Sequence, residues 1–233
     1  MSCTNPLEFL ARAAIGIKGR MAAASNITLL AELTLDGTTG LGIYKPERGE
    51  RPLWDFPPGL YKREVAAYRL SEALGWGLVP PTILREGPHG IGSLQLFIEA
   101  DFEQHYFTLV ERPELRAQLM QICLFDLIAN NADRKGGHCL LGTDERIYAI
   151  DNGLTFHVEP KLRTVIWDFG GEPIPGEAIG SLQRLVHDGL PDQVTELLDP
   201  GECAAVLARS KALARRGRFP KDASGMRYPW PLL

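Results

Sequence analysis

Side chains that could perform catalysis are concentrated in residues 128–156, whose sequence is IANNADRKGGHCLLGTDERIYAIDNGLTF. An apolar segment, residues 113–128, precedes them and has the pattern of a buried helix. A loop with Asp133 and His138 follows it. Two short apolar runs around a Gly-Thr-Asp-Glu turn then predict a β-hairpin that begins after His138 and ends at Asp151. Closure of this hairpin would bring Asp133, His138 and Asp151 close together.

Two carboxylates and a neutral imidazole beside a glycine-containing loop suit a divalent cation with open coordination positions. Phosphoryl transfer needs such a site. One aspartate orients the acceptor hydroxyl and takes its proton, while the other ligands hold the metal that neutralises the phosphates. The sequence therefore predicts Asp133 as the catalytic residue, and His138 and Asp151 as ligands of Mg²⁺ or Mn²⁺.

Each part of this pattern has a simpler interpretation when it is taken alone. An isolated Asp-Asn-Gly sequence is usually a turn, and a single histidine is more often a hydrogen-bonded structural residue than a metal ligand. The order of helix, loop, hairpin and second aspartate favours a catalytic site over these alternatives.

The run NADRKGGH followed by AIDNGLTF resembles the catalytic and metal-binding loops of phosphatidylinositol 3-/4-kinase-like enzymes. The resemblance is greatest to the type II 4-kinases and looser to other atypical kinases. The whole chain resembles a small actinobacterial family described as phosphatidylinositol 3-/4-kinase-like. In these relatives an N-x-D-R element carries the catalytic aspartate, an asparagine five positions later binds metal, and an I-D-N-G element supplies the second ligand. Asp133 and Asp151 match, whereas His138 replaces the asparagine.

A phosphate-binding loop is predicted near the start of the chain. Strands are expected at residues 16–21 and 27–35, joined by a loop of small residues. Backbone N–H groups and a hydroxyl in such a loop can hold phosphates, so Ser25 and Asn26 are the predicted contacts to ATP. The loop lacks the G-x-G-x-x-G and Walker patterns, and an ordinary hairpin turn is the alternative.

A lysine and a glutamate further along complete the predicted nucleotide site. Lys45 ends an apolar strand, residues 41–46, where kinases place the lysine that contacts the α- and β-phosphates. Its Tyr-Lys-Pro context resembles the lysine-proline element of the same relatives. Glu64, on a helix at residues 61–74, is predicted to pair with Lys45. The alternatives are a solvated lysine at a strand end and a surface glutamate on a helix.

A hinge is predicted where the apolar strands of the first part give way to polar residues. Strands are expected at residues 79–84 and 92–98. The backbone of Phe97, Ile98 and Glu99 is predicted to hydrogen-bond the adenine edge.

A later Asp-Phe-Gly sequence, at residues 168–170, resembles the metal-binding element of protein kinases. We interpret it as lying outside the catalytic centre, because Asp151 already ends a hairpin at the expected place.

These elements predict an α+β, two-lobed, protein-kinase-like fold. Residues 1–99 would form a nucleotide-binding N-lobe with an antiparallel sheet and one helix. Residues 100–233 would form a mainly helical C-lobe with the catalytic and metal-binding hairpin. Apolar periodicity after residue 176 predicts helices there, the last one starting with a capping box at Asp199 and Glu202.

Composition limits the classes of function. The chain has 233 residues, 45% of them hydrophobic, which is ordinary for a globular protein. Its formal charge of −4 argues against general nucleic-acid binding and against a polybasic membrane protein. No run of 18 apolar residues and no signal peptide at Met1 are found, and the four cysteines lack paired spacing. We therefore expect a cytoplasmic protein with free thiols and no transmembrane segment.

The predicted activity is ATP-dependent transfer of the γ-phosphate to a hydroxyl acceptor, on a protein or a small molecule, with a protein preferred. The first alternative is a phosphoinositide kinase acting on a lipid headgroup, for which Trp54 and Phe56 offer the only candidate insertion loop. The second is a nucleotide-binding pseudokinase that acts as an interaction module. His138 favours that alternative, whereas retention of the other four polar residues argues against it: Lys45, Glu64, Asp133 and Asp151.

Overall fold

The computed structural model describes residues 5–21 and 26–233. Ser25, one of the two predicted phosphate contacts, lies outside the described residues. A five-stranded antiparallel sheet and two helices occupy the first part of the chain, and the remainder is mainly helical.

The first part contains α1 (Pro6–Arg12), β1 (Ala14–Arg20), β2 (Leu29–Leu35), β3 (Thr38–Pro46), α2 (Leu60–Ala73), β4 (Thr82–Gly87) and β5 (Gly90–Leu96). The second contains α3 (Tyr106–Leu109), α4 (Arg116–Ala129), β6 (Cys139–Leu141), β7 (Ile147–Ala149), α5 (Gly176–Asp188), α6 (Asp192–Thr195) and α7 (Pro200–Arg216). Short 3₁₀ turns lie at Glu47–Gly49, Pro113–Leu115 and Gly136–His138. None of the described helices combines the length and the apolar character needed to cross a membrane.

The strand order of the sheet is β1-β2-β3-β5-β4, and every neighbouring pair is antiparallel. Alternate residues of β2 are buried, as expected for a strand with one face on a core. β3 lies between β2 and β5, and Lys45 pairs with Ser93 in this register. The predicted strand at residues 79–84 begins only at Thr82. It starts later because Pro80 and Pro81 have no N–H to donate to a ladder.

Helix α2 lies between the sheet and the helical part, and most of its residues are buried. It starts after Gly59, whose φ of 94° requires glycine. The carboxylate of Glu50 accepts the N–H groups of Gly59 at 3.0 Å and Tyr61 at 2.7 Å. A carboxylate at this end satisfies unpaired N–H groups and favours the helix dipole. The loop before α2 therefore fixes where the helix begins.

The helical part surrounds the apolar helix α4. Buried residues of α4 pack with residues from α5, α6 and α7 in one core. The predicted capping box of α7 is present, since Glu202 accepts the N–H of Asp199 at 3.1 Å. β6 and β7 form the predicted hairpin, with Cys139 opposite Ala149. The hairpin thus lies between His138 and Asp151 along the chain.

Gly92→Ala should destabilise the sheet at the strand that carries Lys45. An added Cβ would lie 2.4 Å from the carbonyl oxygen of Lys45 and 2.7 Å from the Cα of Pro46. These are main-chain atoms of a paired strand, so we expect a loss of about 1–3 kcal/mol in the free energy of unfolding, measured in urea. Gly19→Ala is the matched control, because nothing lies within 4 Å of its added Cβ. Equal unfolding midpoints for the two variants would contradict the described packing.

Candidate active site

Two adjacent asparagines shape the turn between α4 and the catalytic loop, residues 133–138. Asn130 ends α4 with a φ of 54°, a conformation that asparagine tolerates. Its side-chain amide donates to the carbonyl oxygens of His157 at 2.8 Å and Glu159 at 2.7 Å. Asn131 accepts the N–H of Asp133 at 2.9 Å, which is an Asx-turn. The chain therefore turns sharply at the helix end and leaves Asp133 in the loop.

A buried ion pair between Arg134 and Asp126 holds the catalytic loop on α4. Neither side chain is exposed to solvent. The Nε of Arg134 donates to both carboxylate oxygens of Asp126, at 3.0 and 3.1 Å. Its other nitrogens donate to the carbonyl oxygen of Ile150 and to Oδ1 of Asn152, both at 2.6 Å. One guanidinium thus connects the helix, the loop and both residues that flank Asp151.

Sequence analysis did not identify Asp126, Arg134 or Asn152 as parts of the site. Asp126 carried a usable signal, since it is the only acidic residue in the apolar helix α4. A carboxylate in such a helix needs a buried partner. Burial raises the pKa of Asp126, and the guanidinium of Arg134 opposes that shift.

Lys45 and Glu64 form the predicted ion pair, between β3 and α2. The Nζ of Lys45 also lies 2.8 Å from Oδ1 of Asp151, and the N–H of Asn152 donates to Glu64 at 2.9 Å. Asp133 lines the same cleft. The structure therefore brings predicted residues from distant parts of the chain into one site. Asn26, which accepts the N–H of Arg51 at 3.0 Å, also lines this cleft.

Lys45 and Asp151 stabilise each other's charged form in the cleft. Burial lowers the pKa of Lys45, but the carboxylates of Asp151 and Glu64 raise it by more, so it lies above its usual value. The pKa of Asp151 is lowered, chiefly by the Lys45 ammonium. Burial raises the pKa of Glu64, and Lys45 opposes this. Lys45 and Asp151 are therefore both charged at neutral pH.

His138 presents a neutral nitrogen to Asp151. Its Nδ1 lies 3.1 Å from the carbonyl oxygen of Asp133, which can only accept, so Nδ1 carries the proton. The N–H of Lys135 makes a longer contact of 3.4 Å with the same nitrogen and would need the other tautomer. Burial lowers the pKa of His138 to about 4, which keeps the imidazole neutral.

This arrangement of His138 and Asp151 fits a shared metal ion. The Nε2 lone pair of His138 faces Oδ2 of Asp151 at 3.4 Å, and a cation relieves the contact between two electron-pair donors. Across residues 5–21 and 26–233, no group of three or more His, Cys, Asp or Glu side chains is arranged around a common metal position. The two donors would leave the other coordination positions to phosphate oxygens and water.

Asp133 is partly buried in the cleft, and burial raises the pKa of its carboxyl group. The ammonium of Lys135, 3.4 Å from Oδ2 of Asp133, opposes this shift. Lys135 was not among the predicted site residues. It lies beside Asp133 in the loop that follows α4.

The predicted hinge residues Phe97, Ile98 and Glu99 are not among the residues that line this cleft. The N–H of Phe97 donates to the carbonyl oxygen of Leu41 at 3.1 Å, and the carbonyl oxygen of Glu99 accepts the N–H of Thr143 at 3.3 Å. The N–H of Phe97 and the carbonyl oxygen of Glu99 are therefore already hydrogen-bonded within the protein. The adenine hypothesis therefore rests on the carbonyl oxygen of Phe97, on Ile98 and on the N–H of Glu99.

The aspartate of the Asp-Phe-Gly sequence lies elsewhere. Asp168 accepts a hydrogen bond from the hydroxyl of the buried Tyr106 and does not line the cleft. Asp168 therefore lies apart from the cleft that Lys45 and Asp151 line.

A second buried ion pair joins α2 to the helical part. Arg63 pairs with Glu202 of α7, and its Nε donates to the carbonyl oxygen of Thr155 at 3.0 Å. The hydroxyl of Thr155 donates to the carbonyl oxygen of Asn152 at 2.6 Å. Asn152 in turn donates to Glu64. Helix α2 is thus attached to the segment after Asp151 through two adjacent side chains.

Comparison with known proteins places the chain in a family. No protein-family model matches it. It is 37% identical to protein Rv2133c of Mycobacterium tuberculosis over an alignment of 259 positions, gaps included, that covers 95% of this chain and 93% of that protein. The chain belongs to the family of Rv2133c.

Two solved structures resemble this member of the Rv2133c family. A structure of hydra Fam20 with sugar has a TM-score of 0.59 at 13% identity and covers 93% of this chain and 91% of its own. The Helicobacter pylori proinflammatory kinase CtkA has a TM-score of 0.52 at 13% identity, with coverages of 90% and 94%. At such low identity the similarity concerns the fold. The predicted α+β, two-lobed, kinase-like fold is confirmed.

Glu202→Gln should destabilise the protein, because it leaves the buried guanidinium of Arg63 without its counter-charge. We expect a loss of about 3–5 kcal/mol in the free energy of unfolding, measured in urea. The double variant Arg63→Met/Glu202→Leu should recover part of this loss. Glu32→Gln is the control, since its pair with Lys18 is exposed and should contribute at most about 1 kcal/mol. Similar losses for Glu202→Gln and Glu32→Gln would contradict the role of the buried pair.

Proposed function

We propose that this chain is an ATP-dependent phosphotransferase that moves the γ-phosphate to a hydroxyl group, with a protein as the acceptor. The observation that carries the proposal is the convergence of Lys45, Glu64, Asp133 and Asp151 on one cleft of a kinase-like fold. A fold alone does not imply an activity. A lysine paired with a glutamate, a second carboxylate that can take a proton, and a carboxylate beside a neutral imidazole suit phosphoryl transfer.

In this proposal Asp133 accepts the proton of the acceptor hydroxyl. Burial makes its carboxylate more basic than usual, which suits a general base. Lys135 holds the opposite charge near the same carboxylate and is placed to contact the transferred group. Lys45, oriented by Glu64, contacts the phosphates that remain on the nucleotide.

His138 and Asp151 would hold Mg²⁺ or Mn²⁺. The cation, when bound, neutralises charge on the phosphates. An imidazole ligand favours Mn²⁺ relative to Mg²⁺, which prefers oxygen ligands. We therefore propose that Mn²⁺ is the preferred ion of this chain.

Nucleotide binding is assigned to residues 1–99 and catalysis to residues 100–233. Oδ1 of Asn26 is used by Arg51, so its NH₂ group is the part available to a phosphate. Ser25 is proposed as its companion. The backbone of residues 97–99 is the proposed contact for adenine, through the groups that the protein does not use itself.

The finer family assignment, to phosphatidylinositol 3-/4-kinase-like enzymes, is also a proposal. Its support is that a buried hydrogen bond from Arg134 to Asn152 joins the N-A-D-R and I-D-N-G elements, whose Asp133 and Asp151 line the cleft. A phosphoinositide headgroup is the second candidate acceptor. Trp54 is 95% exposed, and the Nζ of Lys161 lies 5.8 Å from its ring centre. An exposed aromatic ring beside a cation suits a lipid interface. Phe56 is buried and does not contribute.

Asp133→Ala should lower the turnover number by roughly 100-fold or more, because general bases contribute about that much. Nucleotide affinity should be retained. The assay is incubation with γ-labelled ATP and Mn²⁺ or Mg²⁺, following label into casein and into phosphoinositide vesicles. Asp168→Asn is the control carboxylate and should keep its turnover. Unchanged turnover in the Asp133 variant would refute the site assignment.

The acceptors distinguish the remaining possibilities in the same assay. Label in casein supports a protein kinase, and label in vesicles that falls on Trp54→Ala supports the lipid acceptor. Bound nucleotide without label in any acceptor supports the pseudokinase, for which His138 is the structural reason.

His138→Asn should shift the metal preference from Mn²⁺ toward Mg²⁺, because it replaces a nitrogen donor with an oxygen donor. The measurement is the ratio of nucleotide affinities with the two ions, obtained by thermal shift, together with the ratio of label transferred. Asp151→Asn should weaken metal-dependent nucleotide binding with both ions. An unchanged Mn²⁺/Mg²⁺ ratio in His138→Asn would exclude His138 as a ligand.

A further inference from the structure

The segment formed by residues 227–233 lies across the catalytic loop and is held by main-chain hydrogen bonds. The carbonyl oxygen of Arg227 accepts the N–H of Thr164 at 3.1 Å. The carbonyl oxygen of Leu232 accepts the N–H of Gly136 at 2.7 Å. The segment thus connects the stretch that follows the hairpin to the catalytic loop.

The two surfaces that it connects lie side by side. Arg134 donates its N–H to the carbonyl oxygen of Arg163 at 3.0 Å, and Val165 donates to the carbonyl oxygen of Arg134 at 3.1 Å. Residues 163–167 therefore run along the catalytic loop. Asp133 begins this loop, so an acceptor whose hydroxyl reaches Asp133 lies near it. Residues 227–233 contact the same loop at Gly136 and the neighbouring stretch at Thr164.

The segment buries little of its apolar surface. Trp230 is 87% exposed, Leu233 is 57% exposed and Tyr228 is 41% exposed, whereas Pro229 is buried. Segments with few buried contacts open at a low free-energy cost. The bonds from Thr164 and Gly136 go to main-chain oxygens, which any extended peptide possesses. The segment is therefore replaceable by another peptide.

Gly136 provides a place for a leucine side chain. An added Cβ would lie 2.8 Å from Cδ2 of Leu233 and 3.0 Å from Cε2 of Phe107. Gly136 is not among the glycines with positive φ in the described residues, so the turn itself does not require glycine here. Its missing side chain instead makes room for Leu233, beside the ring of Phe107.

We propose that the groove formed by Gly136, Phe107 and residues 163–167 binds a protein acceptor as an extended segment with a leucine-like side chain, and that residues 227–233 occupy it in cis. This inference rests on the proposed function, because the acceptor is the substrate of that phosphoryl transfer. An intramolecular occupant has an effective concentration in roughly the millimolar range. An acceptor must therefore compete with the segment, which restrains the activity until a suitable partner arrives.

Binding of a labelled peptide tests the groove without any catalysis. The probe is a fluorescein-labelled peptide Arg-Tyr-Pro-Trp-Pro-Leu-Leu, the sequence of residues 227–233. It should bind a variant that lacks these residues on the order of tenfold more tightly than it binds the intact chain. A peptide with alanine at both leucine positions should bind more weakly. A folded deletion variant that does not bind the probe would overturn the proposal.

Two glycine variants test the groove in the intact chain. Gly136→Ala should displace Leu233, because the clash is with the end of a flexible side chain. Amide hydrogen exchange in residues 227–233 should then accelerate by roughly tenfold. Gly137→Ala is the matched control, since nothing lies within 4 Å of its added Cβ, and its exchange should be unchanged. Equal protection in the two variants would overturn the proposal.

Label transfer separates this inference from the proposed function. Deletion of residues 227–233 should increase transfer to casein, and the probe peptide should compete with casein and not with ATP. If the probe binds and no variant transfers label, the groove stands and the proposed activity falls. If Asp133-dependent transfer occurs and the probe does not bind, the activity stands and the groove falls.

Discussion

The catalytic loop and the end of the hairpin, which carry Asp133 and Asp151, are positioned by the buried ion pair between Arg134 and Asp126. Neither side chain is exposed, and withdrawing two charges from water costs several kcal/mol per ion. That cost is offset only when the geometry is good and the remaining polar atoms are bonded. Arg134 meets this condition, because its planar fork of donors also reaches Ile150 and Asn152. A lysine could not make these contacts together. Arg134, which follows Asp133, therefore holds α4, the catalytic loop and the end of the hairpin together.

Polar contacts continue from this centre across the two lobes. Glu202 pairs with Arg63, and Arg63 donates to Thr155. The hydroxyl of Thr155 donates to the carbonyl oxygen of Asn152. The N–H of Asn152 donates to Glu64, which pairs with Lys45. Kinase-like catalysis needs the lysine–glutamate pair to be formed. Here the helix that carries the glutamate is fixed by a buried charge pair on the neighbouring residue. The fold itself therefore holds the Lys45–Glu64 pair together.

Backbone conformation at the end of the hairpin contributes to the same arrangement. Asp151 has a φ of 56° and Phe156 a φ of 67°. A bulky residue in this region costs on the order of 1–3 kcal/mol and persists only when its surroundings hold it. Phe156 is fully buried, and its N–H donates to the carbonyl oxygen of Ala129 at 2.6 Å. This strained segment turns Asp151 toward Lys45 while Asn152 reaches Glu64.

Local sequence determined the types of the elements and the order of the catalytic ones. Asp133, His138 and Asp151 were predictable as a group, because one short hairpin joins them and hairpin closure is a local event. The start of β4 was predicted at residue 79 and lies at Thr82, because Pro80 and Pro81 cannot donate to the ladder. Contacts between distant segments were decided only by the tertiary structure. Lys45 and Asp151 are 106 residues apart, and Arg63 and Glu202 are 139 apart. Such pairs depend on how whole lobes pack, and no local pattern encodes that. The crossing of the catalytic loop by residues 227–233 rests largely on main-chain hydrogen bonds, and main-chain groups are common to all residues, so they leave no signature in the sequence.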